Sequence, residues 1–214
     1  MHRSTRLCLL LLALTLPGLA PAALITLSDN LSQTQDWHIG VNDVISAAQG
    51  FSTTGSAFKI TDVALSLARG DSTGGDFLVS IFDNSGTDGT PGVKMADVAT
   101  VAASALGTSS ALYDIPNLSI TLTPSTSYFL VLSGADLTAG VRVWWDYTAS
   151  TSGTGFPSAR NVASYGSWDT NSMEFPQQMR IQADAGAVPE PATLALFAIG
   201  LAGLGARRAA RRPR

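Results

Sequence analysis

The body of this sequence is a series of short apolar runs separated by turn-forming residues. Between Ala23 and Val188, Ser, Thr, Gly and Asp interrupt segments rich in aliphatic, β-branched and aromatic residues. Runs of this length indicate strands, and few of them repeat at helical spacing. We therefore predict one all-β domain over residues 23–187, a single β-sandwich of jelly-roll or Greek-key type. The predicted strands are Phe58–Leu67, Asp76–Phe82, Val98–Ala103, Leu118–Leu122, Tyr128–Ser133, Val141–Tyr147 and Gln178–Ala183.

The segment LTPSTSY supports a sandwich. Leu122 and Pro124 precede Tyr128 by six and four positions, where the chain leaves one predicted strand and enters the next. This spacing is typical of the tyrosine corner of Greek-key sandwiches, in which the phenol hydroxyl bonds to the backbone of the crossing. We expect Tyr128 to have a structural role.

The segment VRVWWDY allows a prediction of side-chain direction, since successive residues of a strand point to opposite faces. Val141, Val143, Trp145 and Tyr147 share the face that we assign to the core. Trp144 then lies among charged residues on the other face. Residues 148–168 follow as a long loop, which is typical of functional or mobile segments.

The N-terminus has the order of a secretory signal peptide. Two arginines within Met1–Arg6 precede the apolar run Leu7–Leu16, and the segment ends in Ala20-Pro21-Ala22. We predict a signal peptide over residues 1–22, cleaved after Ala22. Cleavage removes Cys8, the single cysteine, so the fold must depend on its core rather than on disulfides.

The charge of the chain is unevenly distributed. Seven of the 13 basic residues lie in the two terminal segments, whereas all 16 acidic residues lie between Asp29 and Glu190. Six basic residues against 16 acidic ones give the body a formal charge near −10. Nucleic-acid binding requires a basic face, which this body lacks. Neutral polymers, cations or other proteins are the expected partners.

The sequence offers little material for catalysis. His38, within WHIG, is the single histidine after the signal peptide, and we interpret it as a strand-edge residue rather than a catalytic or metal-binding one. Glu174 is the single Glu between the signal peptide and the C-terminal segment, and no Asp lies in a recognisable catalytic motif. We therefore predict a protein that is not an enzyme and has no cofactor.

Two binding hypotheses remain open. Calcium is one, because Asp83, Asn84 and Asp88 supply hard oxygen ligands, although their order does not match an EF-hand and such residues also form sharp turns. Sugar binding is the other, because the indole rings of Trp144 and Trp168, and less strongly Trp37, could stack on sugar rings. Tryptophans that anchor the core or a loop explain the same pattern.

The C-terminal segment combines three features in order. Val188-Pro189-Glu190-Pro191 comes first, followed by 15 uncharged residues, Ala192–Ala206. At 1.5 Å per residue, a helix over this segment would be roughly 22 Å long, marginal for a bilayer core of about 30 Å. Positive flanks stay in the cytoplasm, which orients the body outward. The basic residues are Arg207, Arg208, Arg211, Arg212 and Arg214.

This arrangement resembles the PEP-CTERM sorting signal of Gram-negative bacteria that make exopolysaccharide. The resemblance covers Val188 to Arg214. It implies recognition by an exosortase, a membrane-embedded enzyme that resembles cysteine proteases, and processing during transit to the cell surface. The implied route runs from an inner-membrane intermediate, with the body in the periplasm, to the cell surface or extracellular matrix.

The body is similar, more loosely, to choice-of-anchor R domains, which are β-rich domains of bacterial surface proteins. The similarity implies no catalytic residues. It lies in AAQGFSTTG (47–55), ITDVALSLARG (60–70), VSIFDNSGTDGTPG (79–92) and ITLTPSTSYFLVLSG (120–134).

Together these features predict an exported, non-enzymatic surface or matrix protein. Its expected partners are signal peptidase and the export machinery, an exosortase, and exopolysaccharide or envelope proteins. The alternatives are a carbohydrate-binding module or glycan-active enzyme, and a calcium-stabilised adhesin. A glycan-active enzyme would require a pair of carboxylates beside Trp144 in a groove.

Overall fold

The computed structural model describes residues 23–55, 58–70, 74–134, 142–155, 160–164, 167–168 and 175–185. In these segments the chain forms strands and two single 3₁₀ turns, at Thr87–Gly89 and Ala103–Ala105. The strands are β1 (Leu24–Asp29), β2 (Trp37–Val41), β3 (Ile45–Ser52), β4 (Phe58–Arg69), β5 (Asp76–Asp83), β6 (Lys94–Ala102), β7 (Ala111–Leu122), β8 (Ser127–Gly134), β9 (Val143–Tyr147), β10 (Arg160–Ser164), β11 (Ser167–Trp168) and β12 (Met179–Ala185).

The strands form two antiparallel sheets of six. Sheet A has the order β1-β12-β4-β9-β2, and β7 also pairs with β4. Sheet B has the order β11-β10-β3-β8-β5-β6. The long strand β4 pairs with β12 along most of its length and then with β9 through Leu67, Ala68 and Arg69. One side of β4 therefore pairs with two strands in succession, first β12 and then β9. The place where β12 ends and β9 begins beside β4 positions the site described below.

The hydrophobic core lies between the two sheets. Val63 and Trp145 of sheet A belong to the same buried cluster as Phe51, Phe77 and Leu130 of sheet B, and each is fully buried. Alternation along the strands directs these residues inward. The fold is therefore all-β, with two antiparallel sheets packed across one core.

The structure contains all seven predicted strands, although their bounds shift. The predicted starts at Val98 and Leu118 were too late, because β6 begins at Lys94 and β7 at Ala111. Val143 and Trp145 are fully buried, as predicted, whereas Tyr147, assigned to the same core face, is only half-buried and Asp146, assigned to the outer face, is fully buried. Val141 lies outside the described residues. Strands β1, β2 and β3 were not predicted.

The predicted loop over residues 148–168 was wrong in its second half. Strand β10 pairs with β3 from Arg160↔Gln49 to Ser164↔Ile45, and β11 adds a two-residue edge strand. In the first half, an isolated bridge joins Thr154 to Asp29. The segment extends sheet B because β3 offers it an unpaired edge, which the local sequence of this segment does not reveal.

Tyr128 forms the predicted tyrosine corner. It is buried, and the backbone N–H of Thr123 donates to its hydroxyl oxygen at 3.0 Å. The bond fixes the crossing from β7 in sheet A to β8 in sheet B. The ring of Tyr128 also stacks on Phe51, with ring centroids 5.8 Å apart.

Buried amides hold the segment that enters β12. Asn30 donates from Nδ2 to the carbonyl of Gln177 at 3.1 Å and accepts from the N–H of Met179 at 2.8 Å. Gln49 accepts from the N–H of Gln177 at 2.9 Å. Satisfied polar groups of this kind are costly to remove from an interior. These hydrogen bonds fix the position at which β4 changes its pairing partner from β12 to β9.

Within the described segments, no helix is long and apolar enough to cross a membrane. The predicted signal peptide, the span over residues 192–206 and the arginine tail all lie outside those segments.

Candidate functional site

The two tryptophans predicted to contact sugar lie on different sheets. Trp144 is on the outer face of sheet A, since its neighbours Val143 and Trp145 point into the core. Trp168 is in β11 at one edge of sheet B, packed on a buried cluster of Ala48, Phe129 and Val131 outside the main core. They therefore do not form one binding surface, and each has its own surroundings.

Trp144 belongs to a column of three stacked rings. The imidazole of His38 lies between two indoles, 4.2 Å from Trp144 and 5.4 Å from Trp37 between ring centroids. The interplanar angles are 11° and 12°, so the three rings are nearly parallel. His38 and Trp144 share the outer face because β2 pairs with β9 in the register Gly40↔Trp144. We call Trp37, His38 and Trp144 the aromatic column.

The column lies at the edge of sheet A and is partly open to solvent. Strand β2 is the last strand in the sheet order, so His38 lies on an edge strand. Trp37 is 63% exposed, whereas His38 and Trp144 are half-buried. Gly40 leaves space beside Trp144 that the aliphatic part of Arg142 fills, since a Cβ there would lie 3.3 Å from Arg142 Cδ.

A buried carboxylate lies on the same face as the column. Asp146 is fully buried and accepts hydrogen bonds from Gln35 Nε2 at 2.7 Å, Ser66 Oγ at 2.6 Å and Ser110 Oγ at 2.9 Å. Burial raises the pKa of Asp146, while the bonds from Ser66 and Ser110 and the nearby His38 act in the opposite direction. The carboxylate joins four parts of the chain that are distant in sequence.

The same region anchors the residues just before Trp37. The N–H of Asp36 donates to the carbonyl of Tyr147 at 3.0 Å. The Asp36 carboxylate accepts from the N–H of Ala149 at 2.5 Å and from Thr148 Oγ1 at 3.4 Å. Together with the bond from Gln35 to Asp146, these contacts attach the start of β2 to the end of β9. Trp37 is therefore exposed but attached to a fixed backbone.

Of the proposed calcium residues, Asp83 ends β5, and Asn84 and Asp88 lie in the hairpin loop that follows it. Asp83 Oδ1 accepts from the N–H and the hydroxyl of Ser85, at 3.1 and 2.6 Å, and from the N–H of Val93 at 2.7 Å. These bonds, that of the Ser85 hydroxyl foremost, lower the pKa of Asp83. Asn84 and Asp88 are exposed, and Asp88 has a φ of 54°. Asp83 therefore closes the turn with its carboxylate.

Close packing inside this loop requires glycine. A Cβ at Gly86 would lie 2.5 Å from Thr90 Oγ1, and one at Gly92 would clash with the hydroxyl of Ser85. Among the described residues, no group of three or more His, Cys, Asp or Glu side chains is arranged to hold a metal ion. Calcium binding at Asp83, Asn84 and Asp88 stays a prediction.

The loop and Trp168 together form an open pocket of about 360 Å³. Its lining combines an indole with hydroxyl groups and comprises Gly86, Thr87, Thr90, Pro91, Ser167 and Trp168. A smaller pocket of about 130 Å³ is lined in part by Asn84 and Gly89 of the loop and by Phe129 of β8. The structure thus places two features that the sequence treats separately, Trp168 and the Asp83–Asp88 turn, next to each other.

The sequence analysis ranked Trp37 below Trp144 and Trp168 as a candidate sugar contact. It also did not predict that the ring of His38 stacks on that of Trp144. The signal was present in part, because WHIG and VRVWWDY each place aromatic residues beside polar ones. Their contact depends on the antiparallel register of β2 and β9, which are about 100 residues apart in sequence. Gln35, Ser66 and Ser110 carry no motif, and only the fold brings them to Asp146.

The described residues define an all-β domain of two antiparallel sheets packed across one core, with Trp144 on the outer face of sheet A and Trp168 at an edge of sheet B. Comparison with known proteins identifies its C-terminal segment: residues 187–212 match the PEP-CTERM protein-sorting motif. The motif implies an exported surface protein that is sorted by an exosortase through a C-terminal, membrane-anchored intermediate. No match to this chain was found among curated proteins.

Proposed function

We propose that the chain is a non-enzymatic surface or matrix protein that associates with exopolysaccharide or with another envelope protein. The observation that carries this proposal is the sorting motif at residues 187–212, attached to an acidic all-β body. A formal charge near −10 on that body disfavours nucleic acid and other polyanions as partners.

The proposal includes the route of export. Residues 1–22 are a signal peptide, residues 192–206 span the inner membrane transiently, and the terminal arginines stay in the cytoplasm. The body has a jelly-roll or Greek-key-like topology related to choice-of-anchor R domains. The tail acts as a removable sorting signal, because a segment of roughly 22 Å is short for a permanent span of about 30 Å.

The alternative of a glycan-active enzyme has one supporting feature, since Asp146 lies two residues from Trp144 on the same outer face. Neutral groups from Gln35, Ser66 and Ser110 occupy its oxygens, and a retaining or inverting glycosidase needs a second carboxylate at a defined separation. We therefore favour binding over hydrolysis.

Changing Pro189, Glu190 and Pro191 together to alanine tests sorting. We expect the precursor to accumulate in the inner membrane, because the exosortase no longer recognises it. Membrane fractionation with immunoblotting measures this accumulation, and the intact mass of protein released from cells reports removal of both terminal segments. Thr193→Ala, outside the triplet, is the matched control and should be sorted normally. Normal processing of the triple variant would refute exosortase recognition through this motif.

A further inference from the structure

The aromatic column is unusual for the amount of aromatic surface that it leaves in water. Trp37 is 63% exposed at the end of a stack whose middle ring, His38, has an indole on each face. One face of Trp37 is directed at His38, so its exposed area lies on the opposite face and at the ring edges. Exposed aromatic surface that continues into a stack is typical of a binding surface.

The column is also held in place before any ligand binds. Gln35 and Asp36, the two residues before Trp37, are bonded to Asp146, Tyr147 and Ala149 at the end of β9. A rigid contact surface loses less conformational entropy on binding than a mobile one. This anchoring distinguishes Trp37 from a surface tryptophan on a free loop.

Polar groups surround the column without giving it an excess of positive charge. Gln35, two residues before Trp37 in the chain, contacts Ser110 Oγ through Nε2 at 3.1 Å in an exposed position. The exposed Arg142 lies beside Gly40 next to Trp144, and Asp146 is the strand partner of His38. A flat apolar surface with neutral hydrogen-bonding groups at its edge suits a sugar ring, which has an apolar C–H face and a rim of hydroxyls.

From this geometry we infer that the aromatic column is the site at which the protein binds neutral polysaccharide, with a pyranose ring stacked on Trp37. The inference rests on the proposed function and specifies its ligand class and contact residues. Trp37 supplies the stacking face, and His38 and Trp144 support it from behind. The acidic body selects neutral chains over anionic ones.

Binding is tested with the purified exported protein and soluble neutral glucans, one α-linked and one β-linked, together with the neutral polysaccharide extracted from the producing cells. Affinity electrophoresis and tryptophan fluorescence measure the affinity of the protein for each polysaccharide. Trp37→Ala should weaken binding at least about tenfold, the effect expected when a central aromatic contact is removed. Gln35→Ala, which releases the anchor, should cause a smaller loss. Trp168→Ala, on the other sheet, is the matched control and should bind normally.

The outcomes separate this inference from the proposed function. If the wild-type protein binds none of the neutral polysaccharides, the inference fails, whereas the proposed function still stands on its other partner class, an envelope protein. If it binds them and Trp168→Ala abolishes binding while Trp37→Ala does not, the proposed partner stands and the column is refuted in favour of the pocket at Thr87 and Trp168. Preferential binding to the polyanion alginate, or self-association that Trp37→Ala abolishes, would also overturn the inference. A melting temperature for Trp37→Ala close to wild type confirms that the variant is folded.

Discussion

Replacing Tyr128 with Phe tests the tyrosine corner at the level of a single atom. The change removes the oxygen that accepts the N–H of Thr123 at 3.0 Å and retains the ring that stacks on Phe51. Leaving a buried N–H without a partner costs about 1–3 kcal/mol, and because this bond is only partly buried we expect about 1–2 kcal/mol. For a domain of this size, each kcal/mol lowers the melting temperature by about 2–4 °C, so the expected decrease is about 2–8 °C.

Thermal unfolding followed by circular dichroism, together with urea titration, measures the effect of Tyr128→Phe. Tyr113→Phe is the matched control, because the half-buried ring of Tyr113 contacts Phe77 edge-on and lies outside the corner. We expect that control to shift the free energy of unfolding by no more than about 0.5 kcal/mol. If Tyr128→Phe unfolds within about 1 °C of wild type, the bond to Thr123 does not stabilise the sheet crossing, and the corner is a geometric coincidence.

Two further predictions concern carboxylates with shifted pKa values. Because the folded pKa of Asp146 is raised, the folded state binds its proton more tightly, and the contribution of Asp146 to stability falls as pH rises from 3.8 through the folded pKa. Asp146→Asn lacks this component, so the melting temperature of wild type relative to the variant should fall as pH rises from 3.8. A difference between the two melting temperatures that stays constant across pH would contradict the prediction. Asp83 has the opposite sign: its lowered pKa gives a contribution present above 3.8 and lost as pH falls through the folded value. Asp83→Ala should accelerate amide exchange at Ser85 and Val93, whereas Asp88→Asn in the same loop should not; equal exchange in both variants would rule out the role of Asp83 in closing the turn.

Local patterns predicted the features that depend on local geometry. The spacing of Pro124 and Tyr128 predicted the corner, because the reach of a tyrosine side chain fixes how far back it can bond. Alternation in VRVWWDY predicted the inward direction of Val143 and Trp145, because successive strand residues must point to opposite faces. These predictions needed no knowledge of which strands pair.

Strand β3 shows where such patterns fail. Its sequence, ISAAQGFS, is rich in Ala, Gln and Gly, which have weak strand propensity, and residues on both of its faces are buried. Ala48 packs outside the core and Ala47 inside it, so no polar and apolar alternation is visible. The strand forms because β8 and β10 supply hydrogen-bond partners on both sides. The same long-range pairing makes β10 a strand in a segment predicted to be a loop.

Three properties are readable in the linear sequence: the sorting segment at residues 187–212, the all-β class and the acidic character of the body. These properties depend on contiguous residues or on composition, so they are visible without a fold. Which aromatic residues lie together follows from the fold and not from any local pattern. The fold stacked Trp144 on His38 rather than placing it beside Trp168, and it gathered Gln35, Ser66 and Ser110 around Asp146. Strand register between distant segments creates those contacts, and no local pattern encodes it.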